Sequence, residues 1–352
     1  MKVSARMPRI SAAAAVALAR SVVARGAAWI VILNVGAFLM FGYFESNFLS
    51  RAALTTILAS AGAIVILTVG QSLVLGVGQL DISIGANVVL SSVVGAKAMV
   101  AFSERSETFG GAAAYDQPGL AIVVGLIAAI AAGMLFGAVN GVLVAYFDVS
   151  ALVATLGTFG IGTGLAFVIT NGTNIFSIPR VLTSDFGNGR LLDTIPYHAL
   201  IALGVAVVAW MVVNRTRVGL RLLAIGSNPS AADRAAIRRR LYVVAVFVAM
   251  GMLCGIAGFI DLARFNTTNI EGHRTDALSS IAGAVIGGSS LYGGQVSVTG
   301  AVFGGLFAVV LTVGFIVLGI PSFYNLIAVG VVLIVAVVID SWRRRAVESA
   351  GD

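Results

Sequence analysis

The chain has 352 residues, 59% hydrophobic and only 11% charged, with a mean hydropathy of +1.02 and a formal net charge of +7. Soluble domains carry about 25% charged residues, and a fold in water cannot hide this much apolar surface. A soluble globule, a disordered chain, a collagen-like repeat and a secreted disulfide scaffold are excluded, and the chain reads as an all-α, polytopic integral membrane protein. Its one cysteine, Cys254, lies in an apolar run. It reads as a buried, inert thiol, with no intrachain disulfide and no metal cluster available.

A membrane-crossing helix needs about 20 apolar residues. Residues 1–26 form a basic arm whose apolar part, Ala12–Ala19, is cut short by Arg20. That pattern is not a convincing signal peptide, and a cytoplasmic arm is expected. Residues 26–44 give the first span and 52–80 the second. The third starts after Asp81 and is interrupted only by Lys97. Runs 117–147 and 149–179 give the fourth and fifth, parted by Asp148. Runs 194–214 and 241–260 give the sixth and seventh. The uncharged stretch 277–339 has room for three more, with turns at 287–294 and Gly319–Ser322. The expectation is about ten spans. It divides the chain into the arm 1–26, a single transmembrane domain 27–340 with a cytoplasmic loop 214–240, and a tail 341–352.

Basic residues mark the cytoplasmic side. With the N-terminus inside, 15 of the 22 lie there: the arm, Arg215–Arg240 and Arg343–Arg345. An even number of spans also keeps the C-terminus inside. The positive charge is therefore a topology signal, and no nucleic-acid partner is expected.

Four segments carry more information. In GQSLVLGVGQLDISIG (70–85), Asp81 lies between two apolar runs. Either Asp81 or Ser83 caps the next helix, or the glycines break the helix and leave polar groups on a water-filled path. In GAVNGVLVAYFDVSALVATLGT (137–158), Asn140, Thr155 and Thr158 either hydrogen-bond between helices or line a polar path. Gln71 and Asn87, also polar residues within apolar runs, join them as path candidates. In NRTRVGLRLLAIGSNPSAADRAAIRRR (214–240), helical spacing around Leu220–Ile225 is followed by a break at Gly226–Pro229. Ser227, Asn228 or Ser230 is placed to cap a second short helix, 231–239. A topology anchor needs the arginines but not this order; a docking element needs both. Arg221, Gly226, Asn228, Pro229, Ala231, Arg234 and Arg238 are its candidate residues. In IGGSSLYGGQVSVTGAVFGG (286–305), two Gly-Gly pairs bracket what reads as a tight turn between spans.

GQLDISIG, NGVLV with TLGT, AIGSNPSAA and VIGGSSLYGG, in this order, resemble the permease subunit of the ribose-type ATP-binding-cassette sugar importers. The resemblance covers about residues 50–340. Gln79 stands where the family has a glycine, and Val149–Ala151 lack the family's prolines. The resemblance implies two permease copies forming one pathway, two ATP-binding subunits docked through the 218–239 loop, and an extracytoplasmic binding protein that delivers a monosaccharide. ATP and Mg would be held by the partner ATPase. No cofactor or metal is expected in this chain, which lacks a G-x-x-x-x-G-K-[ST] loop and is not expected to be an enzyme. The alternative is an ion-coupled secondary transporter, with Asp81 and Lys97 as the only candidate coupling charges. A membrane enzyme has no catalytic constellation: His198 and His273 lie at or beyond span ends and read as interfacial or solvated. A channel lacks a visible filter.

Overall fold

The computed structural model describes residues 26–102, 115–321 and 323–348. The expected arm lies outside them except for Gly26. The described chain is almost wholly helical. Its apolar helices are α1 (Gly26–Phe44), α2 (Arg51–Gly76), α3 (Ile84–Val100), α4 (Pro118–Tyr146), α5 (Ala151–Thr170) and α6 (Tyr197–Arg215). Two polar helices follow, α7 (Arg217–Ser227) and α8 (Pro229–Arg234). The chain closes with α9 (Arg239–Phe265), α10 (Asp276–Ile286), α11 (Val298–Val317) and α12 (Phe323–Glu348). A two-residue hairpin, Arg190–Leu191 paired antiparallel with Ile195–Pro196, decorates the connection before α6.

Ten apolar helices thus stand where about ten spans were expected. Among the described residues, six are long and apolar enough to cross a membrane: α2, α4, α5, α6, α9 and α11. The stretch 277–339 departs from three full spans. Its first helix, α10, has 11 residues, which rise only about 16 Å against a hydrocarbon core of about 30 Å. The last helix also runs past the expected boundary at 340, to Glu348.

α4 shows how the sequence sets the packing. Ala121, Gly125, Ala129, Gly133, Gly137, Gly141 and Ala145 recur every four residues and all are buried. Leu120, Val123, Ile127, Leu135 and Val139 point outward. In lipid, apolar side chains gain little by burial, so close backbone approach drives association. A Cβ on Gly133 would overlap the Gly251 carbonyl oxygen of α9, and one on Gly251 would overlap that of Gly133.

Two helices begin in the interior. Ile84 of α3 and Ala277 of α10 share one apolar cluster with Cys254 and Ala257 of α9. Both helix starts therefore sit beside the interior of the 27-residue α9. The chain entering α10 passes against the first turn of α3, where a Cβ on Gly85 would overlap the His273 carbonyl. Cys254 is buried, as expected.

Candidate functional site

The break between α2 and α3 is made by Gly78, in the left-handed region at φ +73°. Its N–H donates to the Leu75 carbonyl at 2.8 Å, and the Gln79 N–H to Val74 at 3.1 Å. The connection then turns inward on Asp81. Asp81 Oδ1 accepts from the Ser83 backbone N–H at 2.8 Å and from its hydroxyl at 2.6 Å. Ser83 holds the position before α3 but makes no side-chain cap bond. Of the two cap candidates, Asp81 therefore holds the backbone amide at the start of α3, and Ser83 does not cap it.

The polar chain continues across helices. Asn140 of α4 donates from Nδ2 to Ser83 Oγ at 2.8 Å and accepts at Oδ1 from Thr158 of α5 at 2.7 Å. Thr155 accepts from the Ile82 N–H at 3.1 Å and donates to the Ala151 carbonyl. Asn87 donates to the Gly133 carbonyl at 3.3 Å and accepts from Ser91. All seven path candidates are buried. Asp81, Ser83, Asn87, Asn140, Thr155 and Thr158 are engaged with one another or with backbone, so in this conformation they act as connectors between α3, α4, α5 and the loop. The connecting reading of Asn140, Thr155 and Thr158 fits this geometry. Gln71 differs: it is fully buried, and neither amide atom has a hydrogen-bond partner.

Three of the four sequence motifs also meet at this same C-terminal end of α2. A Cβ on Gly226, in α7, would overlap the Gly76 carbonyl oxygen and the Gly294 nitrogen. Gly294 itself donates to the Gly76 carbonyl at 3.0 Å. Gly288, Gly293 and Gly294 all have positive φ, so the tight turn expected at 287–294 is present. Asp340 of α12 accepts from the Leu291 N–H at 3.1 Å and fastens that turn.

The loop 214–240 folds as an ordered helix–turn–helix, though its second helix is Pro229–Arg234 rather than 231–239. Among the cap candidates, Asn228 does the work: its Oδ1 accepts from the Ala231 N–H at 2.9 Å. Pro229 takes the first helical position, where no N–H is needed. Arg221 donates to the Tyr242 hydroxyl at 3.0 Å, and Arg234 and Arg238 are exposed. A groove of about 570 Å³ opens here, lined by Val218, Arg221, Ile237, Arg238, Leu241 and Tyr242. Leu222 and Ile225 face the core, while Leu220 is 70% exposed beside it.

Both histidines correct the sequence reading. His198 is buried, and neither ring nitrogen finds a partner. His273 lies between two carboxylates, with Nε2 2.9 Å from Asp261 Oδ2 and Nδ1 2.7 Å from Asp276 Oδ2. The apolar run ending at 260 hid this cluster by leaving Asp261 outside the span. An acid one residue beyond an apolar run, with a histidine and a second acid downstream, was the available signal. Among the described residues no group of His, Cys, Asp and Glu is arranged to hold a metal.

Several helices long and apolar enough to cross a membrane, with an ordered polar helix–turn–helix beside them, define a polytopic membrane protein. The chain belongs to the family described as branched-chain amino acid transport system / permease component, which matches residues 53–337. The ribose import permease protein RbsC of Escherichia coli (strain K12) is 31% identical over 301 residues, covering 85% of this chain and 88% of that protein. The D-allose transport system permease protein AlsC of the same organism is 28% identical over 293 residues, covering 83% and 84%. The fructose import permease protein FrcC of Rhizobium meliloti is 29% identical over 307 residues, covering 85% and 80%. No solved structure matches. The chain is the non-catalytic, membrane-spanning permease subunit of a ribose-type ATP-binding-cassette importer.

Proposed function

We propose that the chain carries a monosaccharide or similar small polyol inward by alternating access, energised by a separate ATPase docked on α7–α8. The observation that carries this reading is the contact of Gly226 with Gly76 and Gly294. It joins the exposed helix–turn–helix directly to the end of the broken helix. Motion imposed on α7 reaches α2 without an intervening flexible segment. Arg221, Asn228, Pro229, Ala231, Arg234 and Arg238 present the docking face. The relatives named for ribose, D-allose and fructose support the solute class. An extracytoplasmic binding protein delivers the solute at the end of the bundle away from α7–α8. Gln71 remains the one path candidate with free amide groups, and it faces the pathway once the bundle opens.

A second copy of this chain completes the pathway. α5 supports this: Gly157, Gly160 and Gly164 face outward with open space where a Cβ would stand. Small residues on an outer face are the feature that lets two membrane helices approach closely. The test is purification from mild detergent of this chain expressed with its neighbouring genes. An ATPase that co-purifies, and whose hydrolysis is stimulated by one sugar-loaded binding protein, is the expected result. A clean complex without an ATPase favours the ion-coupled alternative and overturns this reading.

A further inference from the structure

At the end of the bundle opposite α7–α8, a cavity of about 310 Å³ opens between α2, α10, α11 and α12. It holds room for about ten waters and falls at the lower edge of small-molecule site volumes. Its polar wall is built from Thr56, Ser60, Asp276, Ser279, Thr312 and Asn325, over an aliphatic floor from α11. No path candidate from the sequence is among them. Three of these groups are held by a second partner. Asp276 Oδ2 is fixed by His273, itself fixed by Asp261. Ser60 Oγ is held by Arg264 Nη2 at 3.1 Å. Asn325 Oδ1 accepts from Thr312 at 3.2 Å. The carboxyl of Asp276 and the hydroxyl of Ser60 are thus oriented from behind the wall, and Asn325 is tied to Thr312 within it; a recognition site needs such pre-orientation.

The ligand class follows from the wall. Asp276 brings a carboxyl group to the cavity, and the Arg264 guanidinium stands behind Ser60, so the wall selects for neither an anion nor a cation. Hydroxyl and amide groups around one acceptor carboxylate, over aliphatic carbons, suit a neutral ring bearing several hydroxyls. We propose that this chamber is a solute subsite for one polyhydroxylated ring, with Asp276 as its specificity-determining residue and His273 and Asp261 as positioning residues. The inference rests on the polyol reading above and assigns that reading a place in the chain.

The test uses the complete importer in proteoliposomes. Cys254 is buried, so Thr56→Cys at the cavity adds one accessible thiol. Its reaction with a membrane-impermeant thiol reagent is timed without binding protein, in D-ribose, D-allose, D-fructose and the corresponding sugar alcohols. At least one should slow modification severalfold at millimolar concentration. Adding Asp276→Asn should raise the protecting concentration about ten- to hundredfold, the range for a lost hydrogen bond to a charged group. Thr312→Val, which leaves the ion pairs intact, should weaken protection in the same direction. An unreactive thiol, equal rates in every polyol, or protection by sodium or potassium chloride in place of a polyol overturns the proposal. ATP-driven uptake of the same solutes is measured in parallel. Uptake without protection removes the subsite alone; uptake of none of them removes the polyol reading and the subsite with it.

Discussion

Asn140 and Ser83 stand 57 positions apart in sequence, yet Asn140 Nδ2 lies 2.8 Å from Ser83 Oγ. The bond ties the middle of a long helix to the connection that precedes a short one. Since Asn140 also accepts from Thr158, its removal takes one partner from each of two buried hydroxyls, which keep Asp81 and the Thr155 carbonyl. Asn140→Ala should destabilise the permease by about 1–2 kcal/mol. Thermal unfolding in detergent reads the loss. Combined with Thr158→Val, the two effects should fall short of additive. Full additivity would mean that the pair is not coupled.

Gly226 faces the carbonyl of Gly76 across a gap that excludes a Cβ. Gly226→Val must push α7 away from α2, at an overpacking cost of about 1–3 kcal/mol. The complete importer should then keep hydrolysing ATP while uptake drops about tenfold. Unchanged uptake at normal protein levels would show that this contact does not carry the coupling.

Asn228 caps α8, and Arg234 is exposed in that helix's last turn. Asn228→Ala removes about 1 kcal/mol of cap, and Arg234→Glu reverses the charge a docked subunit would meet. Both variants should reach the membrane yet retain less ATPase on purification. Normal ATPase recovery and normal coupling in both would remove the docking assignment.

Asp81 accepts two hydrogen bonds from Ser83, and an amide oxygen can accept the same two. Asp81→Asn should therefore retain most of the uptake, whereas Asp81→Ala should lose most of it. An ion-coupled transporter would respond differently, since the charge itself would be needed. Abolished uptake in Asp81→Asn, together with dependence on a sodium or proton gradient, would favour that alternative.

Gly160 points away from its own protomer, with no heavy atom near its Cβ position. In a Cys254→Ala background, Gly160→Cys should give a covalent dimer on mild oxidation or with a short bifunctional thiol reagent. An outward cysteine on α4, Val139→Cys, should not cross-link. Equal cross-linking of both would indicate random encounter in the bilayer.

Much of this architecture is legible in the amino-acid order. Apolar run lengths locate the helices, and the Asn-Pro pair at 228–229 marks the break in the polar platform. Other features are hidden for physical reasons. Hydropathy measures composition, not length in a membrane, so the uncharged stretch 277–339 reads as three spans even though the turn at 287–294 leaves α10 only 11 residues. Polar residues inside apolar runs signal a need for partners but not which ones. Asn140 is satisfied by Ser83 and Thr158, whereas Gln71 has no partner. The polar wall of the chamber draws six residues from four helices, none of them in a contiguous motif. Only the fold brings Thr56, Asp276, Thr312 and Asn325 together.

The small residues of α4 repeat every four positions, but an α-helix turns every 3.6 residues. Each step therefore rotates the row by about 40°, and the row winds around α4 like a thread. Its N-terminal end meets α3, where Gly125 lies against Met99 and the Gly95 carbonyl. At Gly133 it touches both neighbours, Ser91 of α3 and Gly251 of α9. From there Gly137 and Gly141 follow α9 alone, against Phe247 and Val244. A helix threaded into two partners cannot slide without turning, and cannot turn without lifting off one of them. α3, α4 and α9 must then travel as a single block through the transport cycle. The rearrangement that exposes the solute to one side and then the other falls to the elements outside that thread.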